Sequence, residues 1–309
     1  MRTPLYQPRP GSIPTLDVPS LDGVETVHLI GVGGAGMRNL ARLFLARGIR
    51  VSGSDLKDSD ELRRLADAGA RIRVGHDADA LDAPDAVVVS SAIAEDNPEL
   101  AAARARGLAV WARQQAIAAF AVTHRCIAVA GTTGKTTTTS MIATVLEHAG
   151  LDPTYLIGGD LNESGSGAKT GNGDLFLFEA DESDGSFLLT DATIGVVTNV
   201  EMDHVDFYPG GEGELRLAFA EFCARAGLAV VCEDDEGARE AVRVAGVKAV
   251  RYGVAPSADL RLTIETPGPG GARGSVAIDG STVPLALPID GAHNLLDAAA
   301  AIAGGGVVG

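Results

Sequence analysis

Basic residues are in short supply. Lys and Arg number 25 against 41 Asp and Glu, a formal net charge of −16. A chain so acidic is poorly suited to a nucleic-acid backbone or an anionic membrane surface, so neither is expected as a partner. It can still hold a small phosphorylated ligand, because a few backbone amides and one lysine suffice for that. Long apolar runs are missing too: none approaches the roughly 18 residues of a spanning helix. The first twenty residues carry Pro4, Pro8, Pro10, Pro14 and Pro19 and lack the apolar core of a secretory signal. Cysteine is sparse. Cys126, Cys223 and Cys232 show no metal-ligand spacing and cannot pair evenly, so they read as core thiols of a cytoplasmic protein.

What is present is a globular composition, 46% hydrophobic over 309 residues, a length that favours two domains. Residues 1–22 read as a flexible leader. From Val24 the chain alternates: a strand at 24–32, a glycine turn, a helix at 37–46, then strands at 49–53, 72–74, 86–90 and 109–111 with helices at 61–67 and 98–106. Alternation of this kind builds a parallel sheet covered by helices. The stretch 113–125 leads to a second start, an apolar strand at 126–130, a glycine loop and a helix at 135–149. Strands at 175–178, 194–198 and 229–232 and helices at 214–226 and 236–245 follow. Residues 259–288, with Pro267-Gly268-Pro269-Gly270-Gly271, read as antiparallel hairpins, and 293–303 as a short helix before a glycine-rich tail. The expected fold class is α/β: a Rossmann-like domain over 23–122, then a phosphate-loop α/β domain over 123–309 with an added antiparallel region.

Gly131-Thr132-Thr133-Gly134-Lys135-Thr136, followed by Thr137, puts a lysine and a hydroxyl at the start of a helix. Exposed amides and the helix dipole favour phosphate there, Lys135 neutralises the outer phosphates of ATP, and the Thr136 hydroxyl can sit on Mg2+. The strict eight-residue form needs glycine at 129, where Val129 stands. Glu179-Ala180-Asp181-Glu182-Ser183-Asp184 and Asn199, Asp203, His204 and Asp206 each follow an apolar strand. Both groups should emerge at the carboxyl edge of the sheet, beside a triphosphate, where oxygen ligands suit magnesium. For Glu182 and Asp184 taken singly, a solvated acidic loop explains the residues equally well. Gly31-Val32-Gly33-Gly34-Ala35-Gly36, with Asp55 ending the next strand, is a diphosphate-binding turn that serves a dinucleotide or a sugar nucleotide alike.

These stretches, with Ser52-Gly53-Ser54-Asp55, Gly75-His76, Ser90-Ser91-Ala92-Ile93, Asn97-Pro98-Glu99, Leu151-Asp152-Pro153, Asp234-Asp235 and His293-Asn294 in order, resemble the cytoplasmic Mur ligases. The block Glu179 to Leu188 resembles their alanine-adding branch most. The resemblance implies ATP- and Mg2+-dependent joining of L-alanine to the carboxylate of UDP-N-acetylmuramate through an acyl phosphate. It implies that Lys135, Glu179 and His204 are catalytic and that Thr136, Glu179 and His204 hold metal. It implies that Gly131, Thr132, Thr133, Gly134, Lys135, Thr136, Thr137, His293 and Asn294 hold ATP. Gly33, Gly34, Ala35, Gly36, Asp55, His76, Ser90 and Ser91 would then line the UDP-sugar. Thr133 stands where this branch usually has histidine, Asp297 where asparagine is usual, and Ile289-Asp290-Gly291 lacks the usual proline. The resemblance also implies a third, amino-acid-binding domain that residues 1–309 do not contain. The readings are therefore a ligase represented without that domain, or a non-catalytic module that binds the sugar nucleotide and ATP. An NAD-dependent oxidoreductase would leave Lys135-Thr136 and the acidic blocks unexplained.

Overall fold

The computed structural model describes residues 17–158, 167–183, 185–203, 207–265 and 270–306. In chain order the elements are β1 (Thr26–Ile30), α1 (Ala35–Ala46), β2 (Arg50–Asp55), α2 (Asp60–Asp67), β3 (Arg71–Val74), β4 (Ala86–Val89), α3 (Pro98–Ala105), β5 (Ala109–Ala112) and α4 (Arg113–Ala121). Then come β6 (Arg125–Ala130), α5 (Lys135–His148), β7 (Thr154–Leu156), β8 (Ala168–Lys169), β9 (Leu175–Glu179), β10 (Ile194–Val197), α6 (Glu212–Arg225) and β11 (Leu228–Cys232). The chain continues with α7 (Glu236–Ala245), β12 (Ala249–Gly253), β13 (Leu260–Ile264), β14 (Ala272–Ile278), β15 (Ser281–Leu287) and α8 (Ala292–Gly306). Among the described residues two compact units result, one within 17–124 and 153–176, the other within 125–152 and 177–306.

The first unit holds a parallel five-stranded sheet, ordered β3-β2-β1-β4-β5. Strand β1 buries Val27, Leu29 and Ile30, and α1 lays Met37, Leu40, Leu43 and Phe44 into the same core. Polar caps set the helix starts. Ser59 accepts from the Leu62 amide ahead of α2, and Asn97, followed by Pro98, accepts from the Glu99 and Leu100 amides ahead of α3. Helix α4 was not apparent from the sequence because it is buried nearly all round, Gln115 to Ala121, and so shows no amphipathic period. Of residues 17–22, Leu21 is buried and the Asp17 carbonyl accepts from Gln115 Nε2 at 3.1 Å. Residues 1–16, the rest of the expected leader, lie outside the described residues.

In the second unit the strand order is β15-β14-β13-β12-β11-β10-β6-β9. From β6 through β10, β11 and β12 to β13 the pairing is parallel. The expected hairpins are β13-β14 and β14-β15, antiparallel as read. Strand β12 was missed because Arg251 interrupts its apolar run, and only Tyr252 and Gly253 are buried.

The terminal helix corrects another expectation. The glycines read as a tail form the last turn of α8, and Gly304 and Gly305 are buried. A Cβ on Gly304 would lie 3.0 Å from Val196 Cγ2 and 3.5 Å from Ile142 Cδ1, so the missing side chain lets α8 pack close on β10 and α5. Gly304→Leu should therefore cost about 1–3 kcal/mol through overpacking. Gly213→Ala in α6, with open space around it, should change stability by less than about 1 kcal/mol. Paired urea denaturation curves check both.

Candidate functional site

Strand β6 delivers the chain into the loop 131–134, and the geometry there demands glycine. Gly131 has φ +142°, and a Cβ on it would lie 2.0 Å from Thr198 Oγ1. Gly134 has φ +80°, with its Cβ position 2.7 Å from Asp297 Oδ1. The end of β10 staples the loop. The Thr133 amide donates to Asn199 Oδ1 at 2.9 Å, Asn199 Nδ2 donates to the Thr133 carbonyl at 3.1 Å, and Thr198 Oγ1 donates to the same carbonyl at 2.6 Å. The Thr132 amide donates to the Asn199 carbonyl at 3.1 Å. The first intrahelical bond of α5 runs from the Thr138 amide to the Gly134 carbonyl, so the amides of Lys135, Thr136 and Thr137 precede the ladder. That is an anion-receptive helix start.

Lys135 Nζ donates to the Gly131 carbonyl at 2.5 Å and lies 2.9 Å from both carboxylate oxygens of Glu182. Glu182 is 1% exposed, which removes the solvated reading given above for that residue. Its carbonyl accepts from the fully buried Tyr208 hydroxyl at 2.5 Å. Burial pushes the Glu182 carboxyl above the usual carboxylate range, against the pull of Lys135. Thr136 Oγ1 donates to Glu179 Oε2 at 3.2 Å, so two expected metal-holding residues are brought together, both with hard oxygen atoms. The third, His204, lies outside the described residues, as do Asp184 and Asp206.

Beside the loop opens a cavity of about 440 Å³, lined by Thr133, Gly134 and Thr137 on one side and by His293, Asn294 and Asp297 of α8 on another. The expected nucleotide pair His293-Asn294 thus shares one cavity with the phosphate loop. Asn294 Nδ2 is tied to the Asp290 carbonyl at 2.7 Å. Asp297 accepts from Thr138 Oγ1 at 3.1 Å, and burial raises its carboxyl to about 6, opposed by that bond and by His293.

The first unit gathers the other residues at the carboxyl ends of β1 to β4. The Ser54 carbonyl accepts from the amides of Gly31 and Val32 at 2.9 and 3.0 Å. Asp55 Oδ2 accepts from the Gly33 amide at 2.8 Å, and the Asp55 carbonyl from the Gly75 amide at 2.7 Å. Side chains on Gly33 or Gly36 would strike Asp55 Oδ2 at 2.6 Å or Arg113 Nη1 at 2.5 Å. His76 Nδ1 is 2.9 Å from Ser54 Oγ. Ser90 begins the turn after β4, its carbonyl accepting from the Ile93 amide at 3.1 Å, and Ser91 is exposed. Gly34 caps α1 in an extended conformation and Ala35 opens the helix.

Tyr208 and Arg113 were not singled out from the sequence, and Glu99 was named only within Asn97-Pro98-Glu99, without a role. Glu99 sits one residue into α3 beyond its proline, where an acid is ordinary. Nothing local shows that its side chain turns inward.

The Asp297 shift has a definite sign. The folded-state carboxyl titrates above its unfolded value of 3.8, so folding takes up a proton between about pH 4 and pH 6 and stability falls as pH rises through that window. Asp297→Asn should therefore be more stable than the parent at pH 7.5, with the gap closing by pH 4. Thermal melts across that range test it.

Residues 26–125 match the catalytic domain of the Mur ligase family, and residues 129–305 its middle domain. The chain is 47% identical over 296 residues to the UDP-N-acetylmuramate–L-alanine ligase of Paenarthrobacter aurescens, covering 94% of this chain and 64% of that protein. It is 46% identical over 288 residues to the enzyme of that name from Salinispora arenicola, covering 91% and 56%. The chain thus spans under two thirds of the length of these relatives. Among solved structures, the UDP-N-acetylmuramate-alanine ligase of Thermotoga maritima superposes with a TM-score of 0.81 at 29% identity, over 90% of this chain and 64% of that one. The UDP-N-acetylmuramate:L-alanyl-γ-D-glutamyl-meso-diaminopimelate ligase of Neisseria superposes with 0.82 at 28%, over 93% and 94%. With both consecutive domains matched, this chain belongs to the Mur ligase family.

Proposed function

We propose that this chain carries the sugar-nucleotide-binding and ATP-binding parts of a cytoplasmic ligase that joins L-alanine to the carboxylate of UDP-N-acetylmuramate. The observation that carries the reading is the Thr136–Glu179 contact at the start of α5, next to the Lys135 ammonium. A hydroxyl, a carboxylate and a lysine at a glycine-shaped helix start are the parts that phosphoryl transfer from ATP requires. The curated relatives and both solved neighbours name UDP-N-acetylmuramate as substrate, whereas the neighbours differ in the amine they add. The choice of L-alanine rests on the 47% identical relative.

The chemistry follows from the charges. The substrate carboxylate attacks the γ-phosphorus of ATP, the bond to the β-phosphate oxygen breaks, and an acyl phosphate and ADP form. The amine of L-alanine then attacks the acyl carbon, and phosphate leaves from the tetrahedral intermediate with loss of the amine proton. A carboxylate approaching a triphosphate needs charge screening and in-line placement rather than a protein nucleophile. Lys135 supplies a positive charge, and the amides of Lys135 to Thr137 orient the phosphates. Thr136 and Glu179, with His204, would hold Mg2+, which adds charge neutralisation when bound. Asn199 and Thr198 keep the loop in shape through Thr133. The pair His293-Asn294 would face adenine in the neighbouring cavity. In the first unit, Gly33, Gly34, Ala35 and Gly36 would meet the diphosphate, and Asp55, His76, Ser90 and Ser91 the uridine or sugar.

A phosphate-release assay with ATP, Mg2+, UDP-N-acetylmuramate and L-alanine should show alanine-dependent turnover, and Lys135→Ala should lower it by about 100-fold or more. Turnover that survives in Lys135→Ala would overturn the assignment of the ATP site. Binding of UDP-N-acetylmuramate and ATP without any turnover would instead favour the non-catalytic binding module.

A further inference from the structure

Behind the glycine turn of the first unit lies a buried polar cluster that the proposed chemistry does not use. Glu99 is 0% exposed, Ser54 0% and His28 2%. Glu99 Oε1 accepts from the Asp77 amide at 3.1 Å. Its other oxygen lies 3.3 Å from His28 Nε2, accepts a short hydrogen bond from Ser54 Oγ, and is 3.5 Å from His76 Nδ1. No lysine or arginine pairs with Glu99 among the described residues. The nearby Asp77 carboxylate is engaged elsewhere, accepting from Arg73 Nη1 at 3.2 Å and from the Asp79 amide at 3.0 Å.

Counting protons fixes the direction of every bond. Burial alone would raise the Glu99 carboxyl, but the bonds from His28, Ser54 and the Asp77 amide outweigh it and hold the carboxyl below the ordinary range. An ionised carboxylate only accepts, so His28 Nε2 and Ser54 Oγ both donate to it. Ser54 has one hydroxyl proton, and that proton is spent on Glu99. The 2.9 Å contact between Ser54 Oγ and His76 Nδ1 then requires the proton on His76 Nδ1. In the neutral ring His76 Nε2, which has no partner among the described residues, is then the acceptor. A side chain so nearly buried, 8% exposed, has little freedom to turn over. Its neighbours on this edge are Asp55, through the Gly75 amide, and Ser54, whose carbonyl holds Gly31 and Val32.

We propose that Glu99 is the positioning residue of this edge, acting through Ser54 to lock His76 in its Nδ1–H form so that Nε2 accepts a hydrogen bond from a hydroxyl or imide N–H of the bound sugar nucleotide. The inference rests on the proposed assignment of this edge to a sugar nucleotide. It explains why a carboxylate with no cationic lysine or arginine is kept wholly out of water: it sets the polarity of a recognition group two bonds away.

The test joins a spectrum to a titration. Long-range ¹H–¹⁵N spectra of the wild-type chain at pH 7.5 should show His76 protonated at Nδ1 and bare at Nε2. In Ser54→Ala, whose backbone carbonyl still holds the glycine turn, the ring should revert towards the Nε2–H form that free imidazoles favour. Glu99→Gln cannot accept at both oxygen positions and should disturb the ring in the same way. Calorimetry with UDP-N-acetylmuramate should show binding weakened about tenfold in both variants, and uridine diphosphate serves as the second ligand. A loss shared by uridine diphosphate and UDP-N-acetylmuramate places the donor on the uridine, and a loss with the latter alone places it on the sugar. An Nε2–H ring in the wild type, or unchanged affinity for both ligands in the variants, would overturn the proposal. Failure of the wild type to bind either ligand would overturn the sugar-nucleotide assignment itself, and this inference with it.

Discussion

The second unit is organised around one buried ion pair. The ammonium of Lys135 and the carboxylate of Glu182 meet at 2.9 Å, with side chains 19% and 2% exposed. Removing two charges from water is expensive, and the attraction between them repays it only when the remaining donors and acceptors are satisfied. Here the Gly131 carbonyl takes a further ammonium proton, and Tyr208 and the Gly185 amide hold the Glu182 backbone carbonyl in place. That one constraint fixes where the acidic stretch after β9 runs and where the phosphate loop folds. It also keeps the lysine charge at the helix start, where a phosphate would meet it.

Both units are built on the same rule. A parallel strand ends, glycine replaces side chains that would collide, and a helix begins with unpaired amides. The differences lie in what surrounds the turn. Around Gly131 and Gly134 there are a lysine, a hydroxyl with a carboxylate, and a cavity walled by α8. Around Gly31 to Gly36 there are Asp55, which already occupies the Gly33 amide, and the buried Glu99 cluster. Asp297 is the departure that bears most on the chemistry. It sets a carboxylate, held up to about 6 by burial, against the phosphate loop.

Most of the framework was legible in the chain. Helix α7 was read at Glu236–Ala245 as observed, and most other strands and helices within two residues, because each shows a period or a cap in its own sequence. Helix α4 and strand β12 escaped for opposite reasons, one being apolar on every side and the other broken by Arg251. The close contact of Gly304 with Val196 turned an apparent tail into helix, since the loss of helix propensity at glycine is offset by packing that no local pattern reveals. In the site, glycines, lysine and threonine were legible because their spacing is itself the chemistry. Glu182 and Glu99 were not, because their roles are set by Lys135, 47 residues away, and by Ser54, 45 residues away. Side-chain burial of that kind is a property of the fold.

The central claim is that the amides opening α5 receive phosphate. Backbone ¹H–¹⁵N spectra recorded while ATP and Mg2+ are added would test it most directly. The largest shifts should fall on the amides of Gly134, Lys135, Thr136 and Thr137, with smaller ones on Asn294 and Asp297. Saturable shifts elsewhere that leave those four amides unmoved would contradict the account.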